Sequence, residues 1–347
     1  MEEFAIDKKE SPEYIRTSLA GAISMGLERG RFLNRVECTC LNLLLTYESG
    51  CKASCSYCGL SHERNEEARP TFIRVKWPIY RMETIFQALA QHNPFKRVCV
   101  SMITHPRAVK DTCTIISEVR SNMNLPVSGL LDPTVMKEND MKAIKDAGAD
   151  RVGIAIDACT PELFDQHRGH GVKGPHRWEK YWQSVEDAVE VFGRYRTGVH
   201  LIVGLGETEQ EMVGIIDKAY KMGALTHLFS FFPEAGSVME NSNQPSLSQY
   251  RRVQLARYLI NEGLITAADI KFDNGKIEDF GIDIEPYINQ GFAFMTSGCP
   301  DEEGKVACNR PFGNERASEP MRNYPYLPDK DDIQIIKTQV WNGVKIG

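Results

Sequence analysis

Leu41-Asn42-Leu43-Leu44-Leu45-Thr46-Tyr47-Glu48-Ser49-Gly50-Cys51-Lys52-Ala53-Ser54-Cys55-Ser56-Tyr57-Cys58-Gly59 joins an apolar run to three cysteines spaced C-x3-C-x2-C. The run 41–47 reads as a buried strand, and the cysteines follow on one short loop. Cysteine thiolates are the usual ligands of iron–sulfur clusters. Three on one loop can hold three irons of a [4Fe–4S] cube and leave the fourth iron without a protein ligand. A cluster that only passes electrons is normally closed by a fourth cysteine nearby, yet none follows Cys58 until Cys99. Zinc is the competing reading. His62 lies four residues beyond Cys58, so Cys51, Cys55, Cys58 and His62 could close a tetrahedral Cys3His set. Zinc knuckles usually rescue small domains, and a chain of 347 residues needs no such rescue.

Outward from this loop, further apolar or β-branched runs recur at 97–103, 127–132, 151–157, 198–205, 227–232, 269–274 and 291–298. Segments of helical period lie between them, at 82–92, 110–122, 135–147, 178–195, 207–222 and 247–262. Strands alternating with helices predict βαβ units and a parallel sheet. Eight such units match a TIM-like (β/α)8 barrel of the α/β class, spanning 36–300. The last two units are the weakest, because 276–290 has poor helical periodicity, and a partly open barrel is the fallback. Ile15, Leu19, Ile23 and Leu27 stand at helical spacing and make 1–35 an N-terminal helical extension. The proline-rich stretch 301–347 reads as a C-terminal tail. No internal repeat or low-complexity tract is present.

With 42% hydrophobic and 25% charged residues, the composition is that of an ordinary globular chain with a sizeable core. A formal charge of −6 argues against nucleic acid as a partner. The sequence begins without the basic and then apolar regions of a secretory signal, and no run approaches the length that spans a bilayer. A cytoplasmic protein without a membrane partner is the expectation, so the ten cysteines read as ligands, catalysts or core residues rather than disulfides.

C-x3-C-x2-C with an aromatic, Tyr57, before the third cysteine resembles the signature of the radical S-adenosylmethionine (radical SAM) enzymes. The resemblance implies that Cys51, Cys55 and Cys58 carry a catalytic [4Fe–4S] cluster whose open iron chelates SAM. One electron then cleaves SAM to methionine and a 5′-deoxyadenosyl radical, which abstracts hydrogen from an unactivated C–H bond. Barrel active sites lie at the carboxyl ends of strands, and several strand ends resemble the family further. Ile202-Val203-Gly204-Leu205-Gly206-Glu207-Thr208 resembles a stretch of biotin-synthase-like members. There Val203 and Gly204 would lie beside the adenine and Glu207 would support the loop. Asp157 resembles an acidic strand ending near the ribose hydroxyls, while Thr160-Pro161 reads as a helix cap. Arg168 resembles an arginine that pairs with the methionine carboxylate; a surface arginine is the alternative. Phe231-Phe232-Pro233-Glu234-Ala235-Gly236-Ser237 resembles a loop that closes over SAM, with Pro233 in its turn. Where many members carry Gly-Gly-Glu for the SAM amino group, this chain has Ser101-Met102-Ile103-Thr104, making Ser101 and Thr104 the replacements.

Cys38, Cys40, Cys299 and Cys308 remain, and together they could hold a second [4Fe–4S] cluster. A strand-length gap opposes this, because 38–40 precedes the first strand whereas 299 follows the last. The tail must return to the lower end of the barrel, or 38–40 must reach over. Cys99 resembles a ligand of the sacrificial cluster of biotin synthase. Ser128 and Gly198 stand where the other cysteines of that cluster fall, so Cys99 is expected in the core.

Residues 36 to about 300 resemble the biotin-synthase-like branch. Cys299-Pro300, Ala307-Cys308-Asn309-Arg310-Pro311 and Phe72-Ile73-Arg74-Val75-Lys76-Trp77-Pro78 resemble the two-component lipoyl synthases. That narrower resemblance implies sulfur insertion into an octanoylated carrier protein or peptide, a second radical SAM subunit, and an electron donor such as ferredoxin or flavodoxin. Arg64, Arg69, Arg74 and Lys76 would form a patch for an acidic carrier, or merely a solvated basic face. The alternatives are a single-cluster lyase, mutase or metallocofactor-maturation enzyme, and a zinc-stabilised scaffold without catalysis.

Overall fold

The computed structural model describes residues 8–32, 36–64, 71–310, 315 and 319–341. In chain order its regular elements are β1 (Tyr14–Thr17), α1 (Leu19–Ser24), β2 (Cys40–Leu44), β3 (Ile79–Arg81), α2 (Met82–Gln91), β4 (Arg97–Ser101), α3 (Ala108–Asn122), β5 (Val127–Leu131) and α4 (Asp140–Asp146). There follow β6 (Arg151–Asp157), α5 (Pro161–Arg168), α6 (Trp178–Phe192), β7 (Thr197–Val203), α7 (Glu209–Met222), β8 (Leu225–Ser230) and α8 (Leu247–Asn261). The last are β9 (Lys271–Asp273), β10 (Lys276–Asp279), α9 (Glu285–Gln290) and α10 (Lys330–Trp341).

One eight-stranded sheet runs in the order β3-β1-β2-β4-β5-β6-β7-β8. From β2 to β8 every neighbouring pair is parallel, as strands joined through helices must be. The fold is therefore α/β and barrel-like, with a mostly parallel sheet. Alternation sends Val199, Leu201 and Val203 of β7 into full burial, whereas Ile202 borders a central cavity.

Three expected elements differ. Residues 14–17 form a strand rather than a helix, pairing antiparallel with both β2 and β3 and burying Ile15 completely. Tertiary pairing of Tyr-Ile-Arg-Thr overrides the helical spacing there. The run 269–274 adds no strand to the barrel. It turns back through Asn274 and Gly275, both at positive φ, into the hairpin β9–β10, as an Asn-Gly turn dictates. The run 291–298 holds a single 3-10 turn, Phe292–Phe294, so the sheet stays open beyond β8. At that edge the Leu228 amide donates to the Ser297 hydroxyl (3.2 Å), so a side chain takes the place of a ladder partner.

Beyond Ser297 the chain returns to the amino ends of the strands, where Thr39 donates to the Ala307 carbonyl (2.7 Å) and Arg97 to the Pro300 carbonyl. Gly298 permits this return, because a Cβ there would collide with the carbonyl of Cys308. Farther on, α10 packs on α8. Arg252 of α8 is buried, pairing with Glu209 of α7 (2.6 Å) and donating to the Val340 carbonyl (2.9 Å). The helix caps follow the sequence: Thr160 accepts from the Leu163 amide, and Thr208 with Glu211 forms a capping box. No helix among the described residues is long and apolar enough to cross a membrane.

Candidate active site

A cavity of about 220 Å³ opens at the carboxyl ends of the parallel strands, where Leu44, Ser101, Leu131, Asp157 and Ser230 end β2, β4, β5, β6 and β8. Cys51, Cys55 and Cys58 all border it, on the loop between β2 and β3. That loop is pinned through its backbone. Lys52 donates to the Thr104 carbonyl (2.8 Å), Ser56 to the His167 carbonyl (2.9 Å), and His62 to the Ala53 carbonyl (2.8 Å). Ser56 also shares a hydrogen bond with the His167 ring (2.8 Å). Burial pushes the Cys55 thiol up to about 11 and raises Cys51; Cys58 rises well above its usual range through burial and repulsion from the other two. Thiols that resist ionisation alone need a bound cation to become thiolates.

The donor set fits a cubane, whose thiolates each bind a different iron. No three His, Cys, Asp or Glu side chains among the described residues gather as ligands of a single ion.

Facing the cysteines is a polar wall in an otherwise apolar cavity. The Tyr57 hydroxyl donates to Asp157 Oδ2 (2.6 Å), and Arg168 pairs with the same oxygen (3.2 Å). Asp157 has φ +65°, an uncommon conformation for a residue other than glycine, and these two donors hold it there. Arg168 is buried rather than on the surface. It donates to the carbonyls of Ala155 and Ile156 and to the Tyr181 hydroxyl. Tyr181 in turn donates to Asp132 (2.9 Å) and meets the ring of His176 (2.8 Å). Burial lowers His176 to about 3, so it is a neutral imidazole.

Ser101 and Thr104 border the cavity, but Arg310 already donates to the Ser101 hydroxyl (2.7 Å), and the Thr104 carbonyl is taken by Lys52. Val203, Gly204, Glu207 and Pro233 do not wall the cavity; Ile202, Phe231, Phe232 and Glu234 do. Val203 points into the helix layer by strand alternation. Glu207 instead accepts from the amides of Gly204 (2.7 Å) and Leu205 (2.8 Å), fixing the turn after β7.

Below this cavity lies a second group of thiols. Cys40, Cys99 and Cys308 touch one another inside the barrel, and Cys299 packs against them. The returning tail thus closes the strand-length gap from below. Cys38 lies at the edge of the group, its thiol turned to the Cys40 carbonyl (3.5 Å), and Cys99 stands inside it. A hydrogen bond from Cys40, with Arg310 and Arg97 nearby, lowers Cys308 to about 6, while burial pushes Cys299 up to about 12. These four cysteines are free thiols. Buried, arginine-flanked thiols suit an iron–sulfur cluster. The space among them is about 20 Å³, room for a water-sized group, so a cluster must displace their mutual contacts. Leu130, His200, Phe229 and Arg310 border both cavities.

Sequence reasoning missed Asp132, His176, Tyr181 and Arg310. Asp132 follows β5 as Asp157 ends β6, so the strand-end rule could have found it. His176 and Tyr181 arrive from a loop and a helix without a local signal. The basic patch dissolves: Arg64 donates to the carbonyls of Gly59 and Thr71, and Arg74 pairs with Glu319 and stacks on Phe232. Arg69 lies outside the described residues.

A sequence profile of the Radical SAM superfamily matches residues 47–219. GTP 3′,8-cyclase of Microcystis aeruginosa is 26% identical over 46% of this chain and 47% of its own length. Probable GTP 3′,8-cyclase of Methanococcus aeolicus is 25% identical over 55% of this chain and 60% of its own. The chain thus spans about half the length of these relatives. Among solved structures, HydG, a maturase of the [FeFe]-hydrogenase, superposes over 71% of this chain and 54% of its own, with a TM-score of 0.50 at 13% identity, a likeness of fold. The profile covers the cysteine loop and the strand ends that face it, and the chain belongs to the radical SAM superfamily, whose cofactors are a [4Fe–4S] cluster and S-adenosylmethionine.

Proposed function

We propose that this enzyme inserts sulfur into an unactivated C–H bond of a saturated acyl chain, with an octanoyl-lysyl side chain on a carrier protein or peptide as substrate. The supporting observation is the second thiol group, which shares walls with the cavity of the first. When bound, the reduced cluster and SAM supply the 5′-deoxyadenosyl radical that removes a hydrogen atom.

The chain's own residues do the rest. Cys51, Cys55 and Cys58 hold the catalytic cluster. Asp157, fixed by Tyr57 and Arg168, offers a carboxylate to the ribose hydroxyls. Arg168 remains charged at any working pH, and its buried Nε has no partner. Ser101 and Thr104 border the side assigned to the SAM amino group, and Glu207 holds the turn beside Ile202. The walls Leu131, Met102, Ile103, Phe229 and Phe231 keep water from the reacting carbon. Cys40, Cys99, Cys299 and Cys308 would hold an iron–sulfur cluster that is itself a substrate: the C–H hydrogen goes to the deoxyadenosyl radical, the carbon radical bonds a sulfide, the released electron reduces one iron, and that sulfide leaves the cluster. Turnover then requires the cluster to be rebuilt. Radical SAM enzymes need an electron donor, here a ferredoxin or flavodoxin, and a second radical SAM subunit would serve the second carbon.

The names of the two relatives favour a different reading, cyclisation of GTP. Against it stands the cavity's charge. Its arginines, Arg168 and Arg310, are engaged with Asp157 and Ser101, whereas a triphosphate needs cations free to meet it. A single-cluster lyase or mutase shares the first cavity but gives the second thiol group no role.

Incubation of the anaerobically reconstituted protein with SAM, dithionite and an Nε-octanoyl-lysyl peptide is expected to add sulfur to the peptide, read by mass spectrometry. Formation of 5′-deoxyadenosine with GTP, and no sulfur added to the peptide, would overturn the reading.

A further inference from the structure

A third cavity, of about 180 Å³, lies beside the central one under the N-terminal segment. Leu19, Ala20, Ile23, Phe32, Val75 and Trp77 form its apolar walls, and Ser18, Asn42, Asn309 and Glu315 also border it. It adjoins the central cavity at a shared wall, the neck, where Ile73 and Arg310 border both. Nothing in the mechanism above uses this space.

The neck is built under strain. Ile73 (φ +54°) and Arg74 (φ +57°) are consecutive left-handed residues, and a β-branched side chain rarely adopts that region. Their turn is held from several sides. The Phe72 amide donates to the Val75 carbonyl (2.9 Å), Trp77 Nε1 to the Phe72 carbonyl (2.8 Å), and the Arg74 amide to Glu234 (2.7 Å). Strain that its surroundings over-determine concentrates at ligand clamps. Here it sets the Ile73 side chain at the junction of two apolar spaces. Across the neck, Arg310 is tied to Ser101 and lies over the rings of Phe72 and Trp77 (5.6 and 5.5 Å to the centroids), so its charge is already engaged.

We propose that this gallery binds the linear saturated chain of the substrate, which threads past Ile73 to present its methylenes in the central cavity. The inference rests on the acyl-chain reading above and specifies where the chain lies. Asn42, Asn309 and Glu315 already hold protein partners, so a sugar or phosphate would leave polar groups unpaired here, at the cost of burying them dry. A methylene chain gains from the same burial.

The test uses the reconstituted protein and two probes. An Nε-(4-bromooctanoyl)-lysyl peptide, with its bromine on the part of the chain left in the gallery, quenches indole fluorescence on contact, and Trp77 is the indole in the gallery; the quenching is expected in wild type and lost in Trp77→Phe. Ala20→Trp fills the gallery and is expected to weaken binding of the Nε-octanoyl-lysyl peptide by about tenfold, with SAM binding unchanged. Absent quenching of Trp77, or unchanged peptide affinity in a folded Ala20→Trp, overturns the gallery. If Ala20→Trp does not fold, the quenching experiment decides alone. Quenching without any sulfur product would uphold the gallery and remove the sulfur chemistry. Sulfur insertion with wild-type KM in Ala20→Trp would do the reverse.

Discussion

Replacing Cys51, Cys55 and Cys58 together with alanine abolishes reductive cleavage of SAM and removes about four irons per chain. The three thiols border one cavity on a loop fixed by backbone hydrogen bonds to Thr104, His167 and Ala53, none of which involves a cysteine side chain. The loop therefore keeps its path in the variant, and the unfolding midpoint of the metal-free protein stays near that of wild type. Activity falls completely because no other cysteine among the described residues borders this cavity. 5′-Deoxyadenosine released in the presence of dithionite is the readout. Measurable release from the triple variant would contradict the assignment.

Arg168→Leu destabilises the protein by about 3–5 kcal/mol, the range expected when one partner of a buried ion pair is removed. Arg168 is 5% exposed and serves Asp157, the Tyr181 hydroxyl and two carbonyls at once. Leucine satisfies none of them. It leaves Asp157 with Tyr57 as its remaining donor, in a conformation that costs energy to hold. Urea unfolding of the metal-free protein gives the midpoint shift. Arg168→Lys should recover only part of the loss, because an ammonium cannot fork to the same four acceptors. A Leu variant within about 0.5 kcal/mol of wild type would show that the network does not stabilise the fold.

The cysteine loop, the six parallel strands and the strand-end residue Asp157 were legible because each rests on local pattern: apolar runs, turn residues and ligand spacing. What the pattern hid was decided by distant contacts. Tyr14–Thr17 is a strand because β2 and β3 flank it, although its spacing suits a helix. Cys99 sits in an apolar strand and looks like core. Only the return of residues 299–310 to the lower end of the barrel makes it a neighbour of Cys308. Arg310 was visible as part of a motif, but its reach to Ser101 crosses 209 positions of sequence. The basic residues 64 and 74 read as a surface patch, but folding gives Arg64 the carbonyls of Gly59 and Thr71 and Arg74 the carboxylate of Glu319.

In the proposed function the second thiol group holds a cluster that works with the first site. Iron and acid-labile sulfide, counted anaerobically in wild type and in Cys99/Cys299/Cys308→Ala, distinguish this from a single-cluster enzyme, with 5′-deoxyadenosine release measured alongside. The expected result is that the variant loses the iron and sulfide of one cluster, keeps about four irons, still cleaves SAM, and adds no sulfur to the octanoyl-lysyl peptide. Equal iron and sulfide in the two proteins would contradict it.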